Sequence, residues 1–184
     1  MSNILTNKFS NHIINPETEI LLVGTFTHDH PHSGDFFFGR PRNFLWHLLP
    51  ICFKEPSLKD ASLLQKQAFM QEFKIDFVDV IETLEVEDGE EEIMEDDFID
   101  TTAHTFTDLI SVVQKLPNLK AVYFTRKTFN GIPNIKTQVS ILAKYCQQNN
   151  IRMCKLDTPA RHFSVEKQQQ WIDTIVKQKT CLRV

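Results

Sequence analysis

Residues 19–50 contain the most distinctive set of side chains in the chain, and they read EILLVGTFTHDHPHSGDFFFGRPRNFLWHLLP. An apolar run ends at Gly24, and a polar loop with His28, Asp29, His30 and His32 follows it. Three consecutive phenylalanines come next, and the segment GRPRN then leads into an amphipathic run. A connection so rich in polar, aromatic and basic groups is typical of a functional site, because loops carry most binding and catalytic residues.

Composition predicts one domain over residues 1–184, because a chain of this length with 41% hydrophobic residues can bury a substantial core. The polar N-terminus does not resemble a signal peptide, and no apolar run approaches the ~20 residues of a membrane span. The cysteines are far apart and lie in or beside apolar segments, which predicts reduced, buried thiols in a cytoplasmic protein. They are Cys52, Cys146, Cys154 and Cys181.

The acidic residues are concentrated in one segment. Ten of the 24 acids lie between residues 85 and 100, where there is no base. A block of like charges repels itself, so we predict an acidic surface loop at about residues 85–100. Outside this segment 14 acids remain against 20 bases, and the rest of the chain can therefore present a basic face to a polyanion.

Short apolar segments alternate with longer segments of helical periodicity. The apolar segments predict strands over 20–24, 75–81, 120–124 and 151–156, and the periodic ones predict helices over 43–53, 57–73, 105–116, 134–149 and 164–177. Helices between strands require crossover connections, which favour parallel pairing. The predicted fold class is therefore α/β, a three-layer α/β/α arrangement with a central, mostly parallel four-stranded sheet.

This architecture predicts where a ligand binds, because open α/β sheets bind ligands at the carboxyl ends of their strands. The carboxyl ends of the predicted strands lie at residues 25–32, 79–83, 125–127 and 157–163. Three of the four are rich in polar or basic side chains. We expect the site at this edge of the sheet.

The segment from Gly39 to Trp46, GRPRNFLW, resembles the Arg-Asn-x-x-Trp block of the uracil-DNA glycosylase superfamily, in its mismatch-specific and hypoxanthine-DNA glycosylase branches. The resemblance extends in outline over residues 20–171, with FVDV at 77–80 as the second strand and KLDTPARHF at 155–163 as the final loop. The chain departs from the pattern at Thr27, where the family has proline. It also departs at Thr125-Arg126, which replace Asn-Gly, and in the final loop, which lacks the usual serines.

The resemblance implies a DNA glycosylase that hydrolyses the N-glycosidic bond of a flipped deaminated or mismatched base, uracil or hypoxanthine. It implies DNA as partner, a monomer and no cofactor. Asn43 is then the candidate for positioning water, although an asparagine at this place also suits a helix cap. One or more of Phe36, Phe37 and Phe38, with Thr25, would bind the base. The candidate DNA-binding residues are Arg40, Arg42, Arg126, Lys127, Arg161 and His162.

His28 and Asp29 form an alternative acid/base pair, because a carboxylate can orient water and an imidazole can donate to a base oxygen. Two other functions remain open. A catalytically inactive nucleic-acid- or nucleotide-binding protein would keep the fold, the aromatics and the arginines. A metal-dependent hydrolase would use the cluster of His28, His30 and His32 as ligands.

Overall fold

The computed structural model describes residues 2–30, 33–93 and 95–177. We number the elements in chain order. The strands in these residues are β1 Ser2–Thr6, β2 Ile20–Gly24, β3 Ile75–Asp79, β4 Ile81–Glu87, β5 Ala103–Phe106, β6 Ala121–Phe124 and β7 Arg152–Lys155. The helices are α1 Leu45–Cys52, α2 Leu63–Phe73, α3 Asp96–Thr101, α4 Leu109–Gln114, α5 Pro133–Gln148 and α6 Val165–Ile175.

The central sheet has four parallel strands in the order β3-β2-β6-β7. This confirms the predicted fold class and the four predicted strands. The chain runs outward from β2 to β3 and later returns to β6 on the other side of β2. In a parallel sheet, a crevice forms between the carboxyl ends of two neighbouring strands when their connections run to opposite sides. Here these strands are β2 and β6. Gly24 ends β2 at that point, and Thr25 and Thr125 directly follow β2 and β6.

The sheet is covered on both faces, as alternating side chains of its strands show. Leu21 and Val23 of β2 pack into one core cluster with α4 and α5, whereas Leu22 packs into a second cluster with α1, α2 and α6. This alternation is the two-residue periodicity of a strand that is buried on both faces. Each apolar strand therefore contributes to two cores.

A second sheet, which the sequence prediction missed, is antiparallel and has the order β1-β4-β5. It includes the start of the acidic segment, since β4 extends to Glu87 with Leu84 and Val86 buried and Glu85 and Glu87 exposed. The prediction of a loop over residues 85–100 is wrong at both ends, because α3 begins at Asp96. The helix predicted over 105–116 is also too long, since β5 occupies its start and α4 begins after the cap at Asp108.

Asp100, the last acid of the same segment, is buried and only 1% exposed. Its carboxylate accepts hydrogen bonds from the backbone N–H groups of Asn134 (3.1 Å) and Ile135 (2.6 Å) at the start of α5. The amide of Asn134 also donates to the Asp100 carbonyl at 3.1 Å. These contacts satisfy free donors at a helix N-terminus and fix α3 against α5.

The cysteines agree only in part with the prediction of reduced thiols. Cys52 and Cys146 are free and buried, and burial raises their pKa values to about 12 and about 11. Cys154 is disulfide-bonded, so the prediction is wrong there, and Cys181 lies outside the described residues. No helix in the described part of the chain combines the length and hydropathy of a membrane span.

Candidate functional site

A cleft of about 690 Å³ lies at the carboxyl ends of the parallel strands. Residues at the carboxyl ends of all four strands line it, which matches the edge of the sheet where we expected the site. Its wall also includes the loop before α1 and the start of α3. Its lining includes Thr25, Phe38, Arg40, Arg42, Asn43, Asp79, Glu95, Asp96, Arg126, Lys127, Asp157, Ala160 and Arg161.

Asp79, the last residue of β3, is a buried carboxyl group in the cleft wall, 7% exposed. Its Oδ2 accepts a hydrogen bond from the amide of Asn7 at 2.9 Å, and Thr27 also donates to the carboxyl group. Burial raises the pKa of Asp79, although the donors from Asn7 and Thr27 and the nearby Arg40 act in the opposite direction. A buried titratable group in a cleft is a functional-site candidate.

Gly24, the last residue of β2, makes room for this carboxyl group. A Cβ atom at position 24 would lie 2.2 Å from Oδ1 of Asp79 and 3.1 Å from Cζ of Phe38. Only a residue without a side chain allows both groups to approach the strand so closely. Gly24 therefore brings a carboxyl group and an aromatic ring together in the cleft.

Asn7, which directly follows β1 of the second sheet, holds the side chain of Asp79. Besides the bond to Asp79, its amide donates to the carbonyl of Ile81 at 3.2 Å, and its Oδ1 accepts from the N–H of Phe9 at 2.8 Å. Asn7 follows β1, so the N-terminal strand that the sequence prediction missed positions the site. The sequence signal for Asp79 is a carboxyl group between two valines at the end of an apolar strand.

The three consecutive phenylalanines have different surroundings. Phe36 and Phe37 are buried in the core beside Phe77, with ring centroids 6.5 and 5.4 Å from it, and they do not line the cleft. Phe38 lines the cleft, is half-buried and has φ = 56°. Trp46 donates from Nε1 to the Phe37 carbonyl at 2.8 Å, which anchors the segment. The structure therefore brings one of the three rings to the cleft.

Asn43 lies in the cleft wall just before α1. Its Oδ1 accepts a hydrogen bond from the N–H of Leu45, the first residue of α1, at 3.0 Å. The N-cap position is Phe44, which has no side-chain cap bond, so Asn43 supports the helix start from one residue before the predicted cap position. Its backbone pairs with Ala160 in an antiparallel bridge. Thr25 also lines the cleft, and its carbonyl accepts from the N–H of Ile81 at 3.0 Å.

The basic residues fall into two groups. Those inside the cleft have acidic neighbours: Arg126 pairs with Asp96, and Lys127 pairs with Asp157 at 2.8 Å. Burial lowers the pKa of Arg40, while Asp96 and Asp79 oppose that shift.

Arg42 and Arg161 are exposed at the edge of the cleft, and neither forms an ion pair within the described residues. His162 is exposed and does not line the cleft.

His28 and Asp29 are not among the residues that line the cleft. Asp29 is exposed and pairs with Lys8 at 3.2 Å. Burial and the neighbouring His30 lower the pKa of His28. Within the described residues no group of three or more His, Cys, Asp or Glu side chains is placed to hold a metal ion, and His32 lies outside those residues.

The sequence matches no family model and no curated protein. A comparison of folds finds a solution NMR structure of a protein from Methanosarcina acetivorans that is provisionally described as a uracil DNA glycosylase. The two chains superpose with a TM-score of 0.63 over 91% of this chain and 94% of the other, at 17% sequence identity. The chain therefore has the α/β fold of this Methanosarcina protein.

Proposed function

We propose that this protein is a DNA glycosylase that hydrolyses the N-glycosidic bond of a flipped deaminated or mismatched base, uracil or hypoxanthine. The observation that carries the proposal is the buried carboxyl group of Asp79 beside the ring of Phe38, in a cleft at the point where the strand order reverses. The fold shared with a protein described as a glycosylase supports it.

Phe38 provides the stacking surface for the flipped base. Taking a base out of a duplex costs a few kcal/mol, and stacking on an aromatic ring returns about 1–3 kcal/mol per base. Phe38 suits this role because its ring is half-buried in the cleft wall, whereas Phe36 and Phe37 are already packed in the core. Thr25, beside Gly24, contributes a hydroxyl group at the same end of the cleft.

Asp79 donates a hydrogen bond to a carbonyl oxygen of the base in this proposal. When the N-glycosidic bond breaks, its electron pair leaves with the base, so negative charge develops on the base oxygens. A neutral carboxyl group can stabilise that charge as a donor, and burial keeps Asp79 neutral to higher pH than an exposed aspartate. Uracil and hypoxanthine both carry a ring carbonyl that can accept this bond.

Asn43 positions the water that attacks the sugar carbon. Its Oδ1 keeps one acceptor position after bonding to Leu45, and its amide group offers two donors. The water oxygen forms the new bond to the sugar, and a proton from the water ends on the released base. The bond to Leu45 fixes the side chain, so the structural and catalytic roles are compatible.

The test compares Asn43→Ala with the wild-type protein on oligonucleotides that contain uracil, hypoxanthine or a mismatch. We expect abasic product from the wild type and none from Asn43→Ala. The matched control is Asn149→Ala, because Asn149 also bonds to a helix end, at the Tyr145 carbonyl (2.9 Å), but does not line the cleft. If Asn43 acts only as a cap, Asn43→Ala loses about 1 kcal/mol of stability and stays active.

A catalytically inactive nucleic-acid-binding protein is the second candidate. The observation that favours it is that Arg126 and Lys127 inside the cleft already pair with carboxylates. The arginines at the cleft edge, Arg42 and Arg161, are then the ones that bind a polyanion. This alternative is identified if the protein binds the same oligonucleotides in a salt-dependent way and produces no abasic site at uracil, hypoxanthine or the mismatch.

A further inference from the structure

The loop between β7 and α6 joins the loop before α1 at the edge of the cleft. Asn43 and Ala160 form an antiparallel bridge, the N–H of Phe44 donates to the Pro159 carbonyl at 2.8 Å, and the N–H of Arg161 donates to the Arg42 carbonyl at 2.9 Å. These contacts place two arginines from distant parts of the sequence on adjacent, paired backbone positions.

The guanidinium group of Arg42 contacts the backbone of Arg161, because its Nη2 donates a hydrogen bond to the Arg161 carbonyl at 3.4 Å. Both side chains are exposed, and within the part of the chain that the structure describes neither has a carboxylate partner. Positions 42 and 161 face each other across the antiparallel bridge, so both guanidinium groups can contact one anion. Guanidinium groups bind phosphate through paired hydrogen bonds, so the fitting anion is a phosphate group.

Arg161 adopts a backbone conformation that requires support. Its φ is +77°, in the left-handed region that costs a non-glycine residue about 1 kcal/mol or more. Lys167 of α6 supplies contacts on both sides of it. Nζ of Lys167 donates to the carbonyls of Ala160 (3.3 Å) and His162 (2.6 Å), the residues before and after Arg161. Lys167 is only 7% exposed, so its charge is used within the protein.

We propose that Arg42 and Arg161 form a clamp for one phosphodiester group of a nucleic-acid strand, and that the buried Lys167 is the positioning residue that sets its geometry. The clamp rests on the proposed binding of nucleic acid at the cleft. It assigns the backbone contact to the cleft edge and leaves the interior, where Asp96 and Asp157 pair with Arg126 and Lys127, for the base.

The test measures the affinity for a lesion-free duplex oligonucleotide over a salt series. Each neutralised phosphate contributes about 0.9 to the slope of log K against log salt. We expect the double variant Arg42→Gln/Arg161→Gln to lower that slope by about 0.9 and to bind roughly tenfold more weakly near 0.1 M salt. The matched control removes two exposed charges away from the cleft, Lys115→Gln/Lys144→Gln, and keeps the wild-type slope.

Lys167→Met tests the positioning role, since its side chain cannot reach the nucleic acid. We expect it to weaken binding as much as Arg161→Gln does, and to add nothing in the Arg161→Gln background. A role limited to folding would lower Tm while leaving the salt slope unchanged, and that result overturns the positioning role. Thermal denaturation of each variant separates the two readouts.

The outcomes also separate the clamp from the proposed enzyme. If the wild type excises bases and the double arginine variant keeps the wild-type slope, the clamp is overturned and the enzyme stands. If the clamp variants behave as expected and no base is excised, the clamp stands and the enzyme fails. If the wild type binds no oligonucleotide at any salt concentration, both are overturned.

Discussion

Asp79→Ala is expected to lower the rate of base excision by about 100- to 1,000-fold, the loss that removing one donor to a developing negative charge produces. The expectation depends on the position of the carboxyl group in the cleft wall, held by Asn7 and Thr27. Single-turnover excision of uracil and hypoxanthine measures the effect on chemistry, and thermal denaturation confirms that the variant is folded. The control is Asp60→Ala, which removes an exposed carboxyl group on the connection before α2.

Asp29→Ala distinguishes Asp79 from the alternative pair of His28 and Asp29. Asp29 is exposed and pairs with Lys8 away from the cleft residues. Loss of excision in Asp29→Ala together with full excision in Asp79→Ala would transfer the acid/base role to that pair.

The pH profile of excision should also depend on Asp79. Burial raises its pKa, so the neutral donor form persists to higher pH than in an exposed aspartate, and excision falls as the pH rises through that raised value. Asp79→Asn keeps a donor that does not titrate, so we expect partial activity without this decline. A wild-type rate that instead increases over the same pH range would show that the ionised carboxylate is the active form.

Gly24→Ala is expected to reduce excision about as strongly as Asp79→Ala, although the new methyl group performs no chemistry. The added Cβ would lie 2.2 Å from Oδ1 of Asp79, so either the carboxyl group or the strand must move. Overpacking of this kind costs about 1–3 kcal/mol of stability. Chemical denaturation and single-turnover excision measure the two effects.

Gly89→Ala is the matched control for Gly24→Ala. Gly89 has φ = +89°, so alanine is strained there, but among the described residues no atom outside its two chain neighbours lies within 4 Å of the added Cβ. We expect a stability loss of about 1 kcal/mol and unchanged excision. Equal excision by Gly24→Ala and Gly89→Ala would contradict the role of Gly24 in placing Asp79.

The parallel sheet could be predicted because its strands carry a strong signal. Strands buried on both faces are continuous apolar runs, and β2, β3, β6 and β7 fit that description. The antiparallel sheet could not be recognised in the same way. In β4 the apolar Leu84 and Val86 alternate with glutamates, which is a strand pattern. The high density of acids around them instead favours the prediction of a surface loop. The mostly exposed strand β1 has only two consecutive apolar residues, Ile4 and Leu5.

The sequence predicts where the cleft lies but identifies only some of the residues that line it. The rule for parallel sheets located the cleft, and the GRPRN segment contributes Arg40, Arg42 and Asn43 to its wall. Three identical phenylalanines cannot reveal from sequence which ring is left at the surface, since that depends on the turn at Phe38. The sequence alone could not assign a role to Asp79, because its contact with Asn7 joins positions 72 residues apart.

The proposed base excision is tested most directly by asking whether the purified wild-type protein releases a free base from an oligonucleotide. One strand carries a single uracil or hypoxanthine, and the matched strand carries the ordinary base at that position. We expect abasic product, cleaved by mild alkali at the lesion, from the uracil or hypoxanthine strand and none from the matched strand. Nucleic-acid binding without abasic product from either lesion would contradict it.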